Sequence, residues 1–425
     1  MKEKQPQAGD KVKISTVKEE IEGTLLESYE PGIILIKLKS GYNIGIKKED
    51  VVLLEREPVL SQKESKAPEL KKIKQNPKLP NVDIIMTGGT ISSRLDAETG
   101  AVKWLTSPEE LLKFYPELLE ICNIRKIKVP FMKASENMDY LDWQEIAKNC
   151  EESLNDKEIS GVIITHGTDF LHYTSSALSF FLRDLNKPVV LTYAQRSSDR
   201  ASSDAALNLQ CAARAAISEI AEVMIVGHSG TNDDFCYALL GSKVKKLHSS
   251  RRDAFKPVNC KPIAKIFLDR IETITQFKRR NDGKVKLDLS FNNKIALIKF
   301  YPGMEPEIFE FLSGRYEGIV LELVGLGHLA IDEARRNLLA AIKKAIDNGM
   351  IVCAASQTIY GRLDPLVYSP GRKLIKTGII FLEDMLAETA YVKLGFVLGK
   401  AKEQEKIKKL MLTNIAGELN SRLEE

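Results

Sequence analysis

The sequence predicts an α/β protein with a mostly parallel sheet in two lobes, preceded by a small β-barrel of SH3-like type. Two observations lead to this architecture. Five short strand patterns crowd into residues 9–54, and from residue 82 onward strand patterns alternate with helical ones. The 425 residues suit two or three domains at roughly 150 residues each. We place the barrel at 1–56, a linker at 57–80, and the lobes at 81–285 and 286–425.

The barrel is predicted from short apolar runs that are separated by glycine, proline and serine turns. The runs are Lys11–Ile14, Gly23–Leu26, Ile33–Ile36, Tyr42–Ile46 and Val51–Leu54. Small barrels of this type bind proteins or RNA, or brace a neighbouring domain, and we expect an interaction or bracing role. Prolines and lysines spread over residues 57–80 indicate a solvated linker.

The two lobes are predicted from buried strand patterns and amphipathic helices. The strands are expected at 82–87, 127–132, 161–166, 189–193, 223–226, 295–299, 318–323 and 350–355. Helices are expected around Trp143–Leu154, at 170–182 and 203–218, from a cap at Asp332 to Gly349, and at 383–396.

Composition and charge limit the classes of function that this chain can have. Hydrophobic residues make up 44% of the chain and charged residues 28%, as in an ordinary globular protein, and the net charge of +4 does not by itself indicate nucleic-acid binding. We expect no secretory signal, because the first residues contain no apolar run, and no apolar run elsewhere approaches the ~18 residues of a membrane span. The six cysteines form no C-x-x-C pair and there are five histidines. We therefore expect buried thiols in a reducing cytoplasm, no membrane contact and no metal site.

A glycine turn follows the first predicted strand of the lobes. Thr87-Gly88-Gly89-Thr90-Ile91 comes directly after a buried apolar run, at the carboxyl end of a strand, where open α/β sheets bind ligands. A hydroxyl beside free backbone N–H groups can serve as a nucleophile next to an oxyanion site. A phosphate-binding loop or an ordinary turn are the alternatives.

Three further places could share a site with Thr90. Ser135-Glu136-Asn137 follows the second strand, Thr168-Asp169 follows the third through Gly167, and Lys246 lies in a basic run. Each has a simpler interpretation: loop polarity for Ser135 and Glu136, a helix cap for Thr168-Asp169, and a solvated basic face for Lys246.

Together these motifs resemble the asparaginase/glutaminase amidohydrolases, from about residue 80 to 400. The resemblance is carried by Thr87–Ile91, by His166-Gly167-Thr168-Asp169 and by the Lys246 segment. It implies Thr90 as the nucleophile on a side-chain amide, with Thr168, Asp169 and Lys246 as the polar group that faces it. It also implies Ser135, Glu136, Gly89 and Gly167 as substrate-binding positions, with Ser135 and Asp169 holding the α-carboxylate and α-ammonium of glutamine or asparagine.

Three further stretches resemble the D subunits of archaeal glutamyl-tRNA(Gln) amidotransferases. They are Arg196–Asp204, His248–Phe255 and Ser356–Arg362, and the extra barrel fits the same subunits. This resemblance implies release of ammonia from glutamine, with no cofactor in this chain. A partner, the amidotransferase E subunit, would bind ATP and Mg²⁺ and use the ammonia to amidate Glu-tRNA(Gln). It also implies a homodimer within a heterotetramer, with tRNA bound mainly through the partner.

The chain departs from the amidohydrolase pattern in the loop after the first motif. Many asparaginases carry a tyrosine there, but Ser92–Thr106 contains none, and its only aromatic residue is Trp104. The general base is therefore open. Glu136 stands where many asparaginases have glutamine, and Leu323-Val324 where Gly-Thr is expected. Two alternatives to an amidotransferase subunit remain: a stand-alone L-asparaginase with an accessory barrel, and a non-catalytic RNA-binding or scaffold subunit.

Overall fold

The computed structural model describes residues 6–7, 10–16, 19–26, 28, 32–38, 43–56, 76–95, 102–104, 115–196 and 203–423. Most of the predicted linker, residues 57–75, lies outside the described residues. So do residues 197–202, in the Arg196–Asp204 stretch that resembles the D subunits.

The first part of the chain forms one antiparallel sheet. Its strands are β1 (Lys11–Thr16), β2 (Glu20–Leu26), β3 (Ile33–Leu38), β4 (Asn43–Lys47) and β5 (Val51–Arg56), in the order β4-β3-β2-β1-β5. Four apolar side chains form its buried core: Val12, Ile14, Ile36 and Ile46. The prediction of a small five-stranded β domain is confirmed.

The rest of the described chain alternates strands with helices, as predicted. The strands are β6 (Asn81–Met86), β7 (Ser93–Leu95), β8 (Val102–Trp104), β9 (Asn123–Lys128), β10 (Ile159–Thr165), β11 (Leu182–Arg183), β12 (Val189–Thr192), β13 (Val223–His228), β14 (Cys236–Leu240), β15 (Val244–Lys246), β16 (Phe255–Pro257), β17 (Ala264–Ile266), β18 (Ile271–Thr273), β19 (Lys286–Leu287), β20 (Ile295–Lys299), β21 (Gly318–Leu323), β22 (Ile351–Ser356) and β23 (Ile380–Phe381). The helices are α1 (Leu118–Ile121), α2 (Tyr140–Leu154), α3 (Leu171–Phe181), α4 (Ala205–Ala216), α5 (Glu307–Ser313), α6 (Leu339–Asp347), α7 (Ser369–Ile375), α8 (Ala387–Lys400) and α9 (Gln404–Leu412).

Two sheets organise the lobes. The larger has the order β18-β17-β14-β13-β12-β10-β6-β9, in which the five strands from β13 to β9 run parallel. The smaller, β20-β21-β22-β23, is parallel throughout. The carboxyl ends of β6 and β10 are neighbours in the larger sheet, which brings the loops that follow them together.

Packing of helices joins the lobes. α3 of the first lobe lies against α8 of the second, where the rings of Phe180 and Phe396 stack with centroids 5.8 Å apart. The predicted apolar face of α2 is buried, and the side chain of Asp139 caps that helix by accepting from the backbone N–H of Leu141.

Several element boundaries differ from the prediction for local reasons. β9 begins at Asn123 instead of Ile127 and ends at Lys128, before Pro130, which has no N–H to donate to a ladder. Asp332 does not cap a helix: its φ is +59° and its carboxylate pairs with Lys373, while Asn337 Oδ1 accepts from the N–H of Leu339 at the start of α6. The last predicted helix begins at Ala387, because Glu383 has a φ of +54°.

Several further elements were not predicted, among them the short helices α1, α5 and α7. The antiparallel strands β14, β17 and β18 extend the large sheet beyond β13, and α9 lies in what was expected to be a charged tail. Within the described ranges, no helix is both long enough and apolar enough to cross a bilayer. All six cysteines lie in the described part of the chain, and none of them forms a disulfide. Five are buried; Cys260 is half-buried, against the expectation that all would be buried.

Candidate active site

The glycine turn after β6 crosses close to the backbone of two other loops, and we call this contact the glycine crossing. Gly88 has a φ of +124° and Gly89 a φ of +83°, which disfavour any residue with a Cβ. A Cβ on Gly88 would collide with the carbonyl oxygen of Lys133, and one on Gly89 would lie 2.5 Å from the backbone nitrogen of Gly167. Glycine is therefore required where the loop after β6 passes the loops after β9 and β10.

Hydrogen bonds fasten this crossing. The backbone N–H and the hydroxyl of Thr87 both donate to the carbonyl oxygen of Thr165, at 3.1 and 2.8 Å. The hydroxyls of Ser92 and Thr165 lie 2.9 Å apart. Thr90, which is half-buried, begins a 3-10 turn that ends at Ser92. Thr90 and Thr168 each follow one of two glycines in contact, so the structure brings these two predicted residues to the same edge of the sheet.

Lys246 reaches this edge from outside the large sheet. It is the last residue of β15, which pairs with β16 in a separate two-stranded ribbon. Its Nζ donates to Thr168 Oγ1 at 2.7 Å and to Asp169 Oδ1 at 2.9 Å. The lysine side chain is only 10% exposed whereas that of Asp169 is 61% exposed. The carboxylate thus faces solvent, where a charged ligand group would arrive.

The helix-cap interpretation of Thr168 and Asp169 is wrong. The N-cap of α3 is Phe170, and no side chain caps that helix. Both polar side chains are therefore available to Lys246, and Asp169 also lies near the positive end of the α3 dipole.

Ser135 and Glu136 lie in different surroundings. Ser135 is 2% exposed, and its Oγ would lie 2.6 Å from a Cβ on Gly167, so it packs directly on the crossing. Glu136 is exposed and lines the rim of an adjoining cleft of about 460 Å³. The walls of this cleft are largely aromatic, with Tyr140, Trp143, Phe170, Tyr173, Phe291 and Tyr391. The structure thus packs Gly167 against both Gly89 and Ser135 and leaves Glu136 at the edge.

His166 also lies in the site. It is the first residue of the motif His166-Gly167-Thr168-Asp169, but the sequence indicated no role for it. Its Nδ1 lies 2.7 Å from the carbonyl oxygen of Gly167 and its Nε2 lies 2.9 Å from Thr174 Oγ1. Burial lowers the pKa of this imidazole from 6.5 to about 4, so it is neutral at pH 7. Its position directly before Gly167 is the signal that could have marked it as a support for the turn.

The lysines that precede Lys246 are not a solvated basic face. Lys243 is fully buried and pairs with Asp384, and Lys245 is 24% exposed and pairs with Glu388. Sequence reasoning missed both carboxylates, which lie about 140 residues further along the chain.

The arrangement suits acyl transfer. A threonine hydroxyl needs a base to become a nucleophile, and Lys246 bonded to Thr168 is a route by which a proton can be taken away. Developing negative charge on a carbonyl oxygen needs donors, and the glycine crossing presents backbone N–H groups at the same edge.

Family models match most of the chain. The model "Asparaginase, N-terminal" covers residues 81–279 and "Glutaminase/Asparaginase C-terminal domain" covers 294–411. A third, "GatD N-terminal domain", covers 7–55.

Curated relatives match over nearly the whole length. The D subunit of the glutamyl-tRNA(Gln) amidotransferase of Pyrococcus furiosus is 47% identical over 99% of this chain and 96% of its own. This chain belongs to the amidotransferase D-subunit family. A relative of the same name from Methanopyrus kandleri is 43% identical over 97% of this chain and 91% of its own.

Solved asparaginases share the fold of the two lobes of this family member. The thermostable L-asparaginase from Thermococcus kodakarensis is 30% identical, with a TM-score of 0.73 over 80% of this chain and 100% of its own. L-asparaginase I from Vibrio cholerae is 28% identical, with a TM-score of 0.70 over 80% of this chain and 99% of its own. The asparaginase-like two-lobed fold preceded by a small β domain is confirmed.

Proposed function

We propose that this D-subunit family member releases ammonia from the side-chain amide of glutamine for use by a tRNA-dependent amidotransferase. The observation that carries the proposal is the Lys246–Thr168 hydrogen bond of 2.7 Å beside the Gly89–Gly167 crossing, from which Thr90 emerges. It supplies a nucleophile, a proton route and backbone donors at one edge of the sheet.

The reaction follows from these groups. The hydroxyl oxygen of Thr90 attacks the carboxamide carbon, and its proton passes through Thr168 Oγ1 and Lys246 Nζ to the Asp169 carboxylate, each relay group giving up one proton as it takes another. The carbonyl oxygen gains negative charge, which backbone N–H groups of the crossing stabilise. The tetrahedral intermediate collapses when its nitrogen takes a proton and leaves as ammonia. Water then attacks the threonine ester by the same steps, releasing the amino-acid carboxylate and restoring the Thr90 hydroxyl.

The remaining polar groups hold the amino-acid end of the substrate. Asp169 is exposed enough to meet the α-ammonium, and Ser135, packed on Gly167, is placed to donate to the α-carboxylate. Glu136 at the rim offers a second carboxylate for the α-ammonium. Substrate binding thus uses the same short loops as the chemistry, and needs no cofactor in this chain.

The ammonia is used by a partner. The D-subunit relatives carry the name of one component of an amidotransferase, which supports an assembly of several different chains. We propose that the E subunit binds ATP, Mg²⁺ and Glu-tRNA(Gln) in the cytoplasm, and that a homodimer of this chain is part of a heterotetramer.

A stand-alone L-asparaginase is the second candidate. It is favoured by the Thermococcus kodakarensis L-asparaginase, which this chain matches over 100% of that protein's length. That match covers 80% of this chain. The β1–β5 sheet fits the model "GatD N-terminal domain", which covers residues 7–55.

Ammonia release separates the two candidates. It is measured from glutamine and from asparagine, for the protein alone, with the E subunit, and with the E subunit plus Glu-tRNA(Gln). An amidotransferase component is expected to be slow alone and to speed up about 5- to 150-fold with both additions, the range of a coupling free energy of ~1–3 kcal/mol. Fast asparagine hydrolysis by the protein alone, unchanged by the additions, would support the stand-alone enzyme.

A further inference from the structure

The segment around Lys246 carries three lysines, at 243, 245 and 246. Their partners come from two different parts of the protein. Side chains alternate along an extended strand, so in β15 residues 245 and 246 take opposite faces. Lys246 bonds to Thr168 and Asp169. Lys243 and Lys245 instead form ion pairs with Asp384 and Glu388.

Both of these carboxylates come from the second lobe, at the start of α8. Asp384 lies just before the helix and Glu388 lies in its first turn. A third bond reinforces the contact, because Thr389 Oγ1 donates to the carbonyl oxygen of Ser242 at 3.0 Å. The start of α8 is therefore fastened to the segment 242–245 by three side chains.

We propose that the Lys245–Glu388 ion pair is a positioning element of the active site, through which the second lobe sets the place of Lys246. Thr90, Thr168, Asp169 and Lys246 all come from the first lobe. Through this ion pair the second lobe would take part in catalysis without Glu388 touching the substrate. The catalytic consequence rests on the proposed amide hydrolysis, but the positioning itself does not.

The reason lies in the weak local support of β15. This strand has three residues and pairs only with β16 within the described chain. A lysine side chain has four rotatable carbons and much conformational entropy to lose, so the position of its Nζ depends on how firmly the backbone is held. The neighbouring ion pairs supply that anchorage.

Lys245–Glu388 is the pair to test. Lys243 and Asp384 are both 0% exposed, and removing one partner of such a pair leaves a buried charge that strongly destabilises the fold. The side chains of Lys245 and Glu388 are 24% and 11% exposed, so water can compensate in part. A matched control lies on the same helix: Lys400 pairs with Asp288 at the far end of α8, away from β15.

The first experiment measures amide hydrolysis by full-length Glu388→Gln and Lys400→Gln. Glu388→Gln is expected to lower kcat by about 10- to 100-fold, as small misplacements of catalytic groups do, with KM changed less than about threefold. Glu388→Asp should recover part of the loss, and the swap of Lys245→Glu with Glu388→Lys should recover more than either single change. Lys400→Gln should keep the wild-type kcat.

The second experiment needs no activity. Reductive methylation of lysines, followed by mass spectrometry, reports how readily Lys246 reacts. Its rate should rise at least about fivefold in Glu388→Gln and stay unchanged in Lys400→Gln. If the wild type hydrolyses no amide, the proposed function fails, and the methylation rates still decide the positioning. Unchanged methylation of Lys246 in Glu388→Gln, a wild-type kcat in that variant, or equal losses in Lys400→Gln would each overturn the proposal.

Discussion

Lys246 Nζ donates to Thr168 Oγ1 at 2.7 Å, which joins a hairpin outside the large sheet to the loop after one of its central strands. The hydrogen bond fixes the two atoms between which a proton can pass. Because Thr168 follows a glycine in contact with Gly89, the pair lies next to the turn that carries Thr90. The chemistry of the site therefore depends on three separate chain segments meeting.

Replacing the nucleophile should stop turnover without unfolding the protein. Thr90→Val keeps the side-chain volume and removes the hydroxyl, so we expect ammonia release to fall by about 10⁴ or more, as in other enzymes that lose a catalytic nucleophile. Thr90→Ser, which keeps the hydroxyl, should retain far more activity. Both variants are compared with the wild type by steady-state ammonia release and by thermal unfolding. A folded Thr90→Val protein with near-normal turnover would refute the assignment.

Lys246 and Asp169 should act as one unit. Lys246→Met removes the ammonium with little loss of volume, and a proton-transfer role predicts a fall of about 10²–10⁴ in kcat. Asp169→Ala should do similar damage and also raise KM, because we propose that its carboxylate binds the α-ammonium. The double variant should be much less impaired than the product of the two effects, since a broken relay cannot be broken twice.

A matched control for this pair lies on the neighbouring strand. Lys256 pairs with Asp253 at 2.6 Å on the same hairpin but does not contact Thr168. Lys256→Met should therefore leave kcat within a few-fold of the wild type. Strictly multiplicative losses in the Lys246 and Asp169 double variant would mean that the two residues work separately.

Sequence reasoning located the part of the site that depends on strand ends. Thr90, Ser135 and Thr168 follow β6, β9 and β10, and the carboxyl ends of neighbouring parallel strands must meet. The prediction that Lys246 lies in the site came from a family resemblance. No local sequence pattern could give it, because β15 lies outside both main sheets. Asp384 and Glu388 left no local signal at all, since their contacts with Lys243 and Lys245 exist only once α8 has docked.

The same limit explains the errors in the fold. Asp332 has the residue type of a helix cap, but its left-handed backbone and its ion pair with Lys373 are set by tertiary contacts. The antiparallel strands β14, β17 and β18 are each only three to five residues long, too short for a clear period of two.

His166 should make stability depend on pH below neutrality. Its pKa is about 4 in the folded protein, against an ordinary value of 6.5, because the ring is fully buried. Between these values the unfolded chain binds a proton that the folded chain does not, so the free energy of unfolding falls as pH falls from 6.5 to about 4. The loss from this group amounts to about 3 kcal/mol, at roughly 1.4 kcal/mol per pKa unit.

The measurement compares urea unfolding of the wild type and His166→Gln at about pH 7 and about pH 4.5, on either side of most of this titration. Glutamine can still bond to Gly167 or Thr174, but it does not titrate, so the variant should lose less stability than the wild type on acidification. His248→Gln removes an exposed histidine and should behave like the wild type. An identical pH dependence in the wild type and His166→Gln would contradict the assignment of a buried neutral ring.

Removing the β1–β5 sheet should leave amide hydrolysis intact and slow the use of the released ammonia in amidation of Glu-tRNA(Gln). That sheet has its own core of four buried side chains, and none of the site residues lies in it. The cut must spare Asn76, since its backbone N–H donates to Asn123 Oδ1 at 2.8 Å and its carbonyl oxygen accepts from Asn123 Nδ2 at 2.9 Å. We expect a protein lacking residues 1–74 to unfold at nearly the wild-type temperature and to keep its basal ammonia release. A protein lacking residues 1–78 loses the two hydrogen bonds between Asn76 and Asn123. Its free energy of unfolding should fall by about 1–2 kcal/mol, at a typical value per hydrogen bond.

The coupled reaction then tests what the β1–β5 sheet contributes to the assembly. With the E subunit and Glu-tRNA(Gln), the protein lacking residues 1–74 should form Gln-tRNA(Gln) more slowly than the full chain, because the sheet is proposed to brace or dock the assembly. Full-rate amidation by that deletion would show that the sheet is not needed for coupling. Loss of basal ammonia release would instead show that the sheet supports the active site itself, although it contributes no residue to that site.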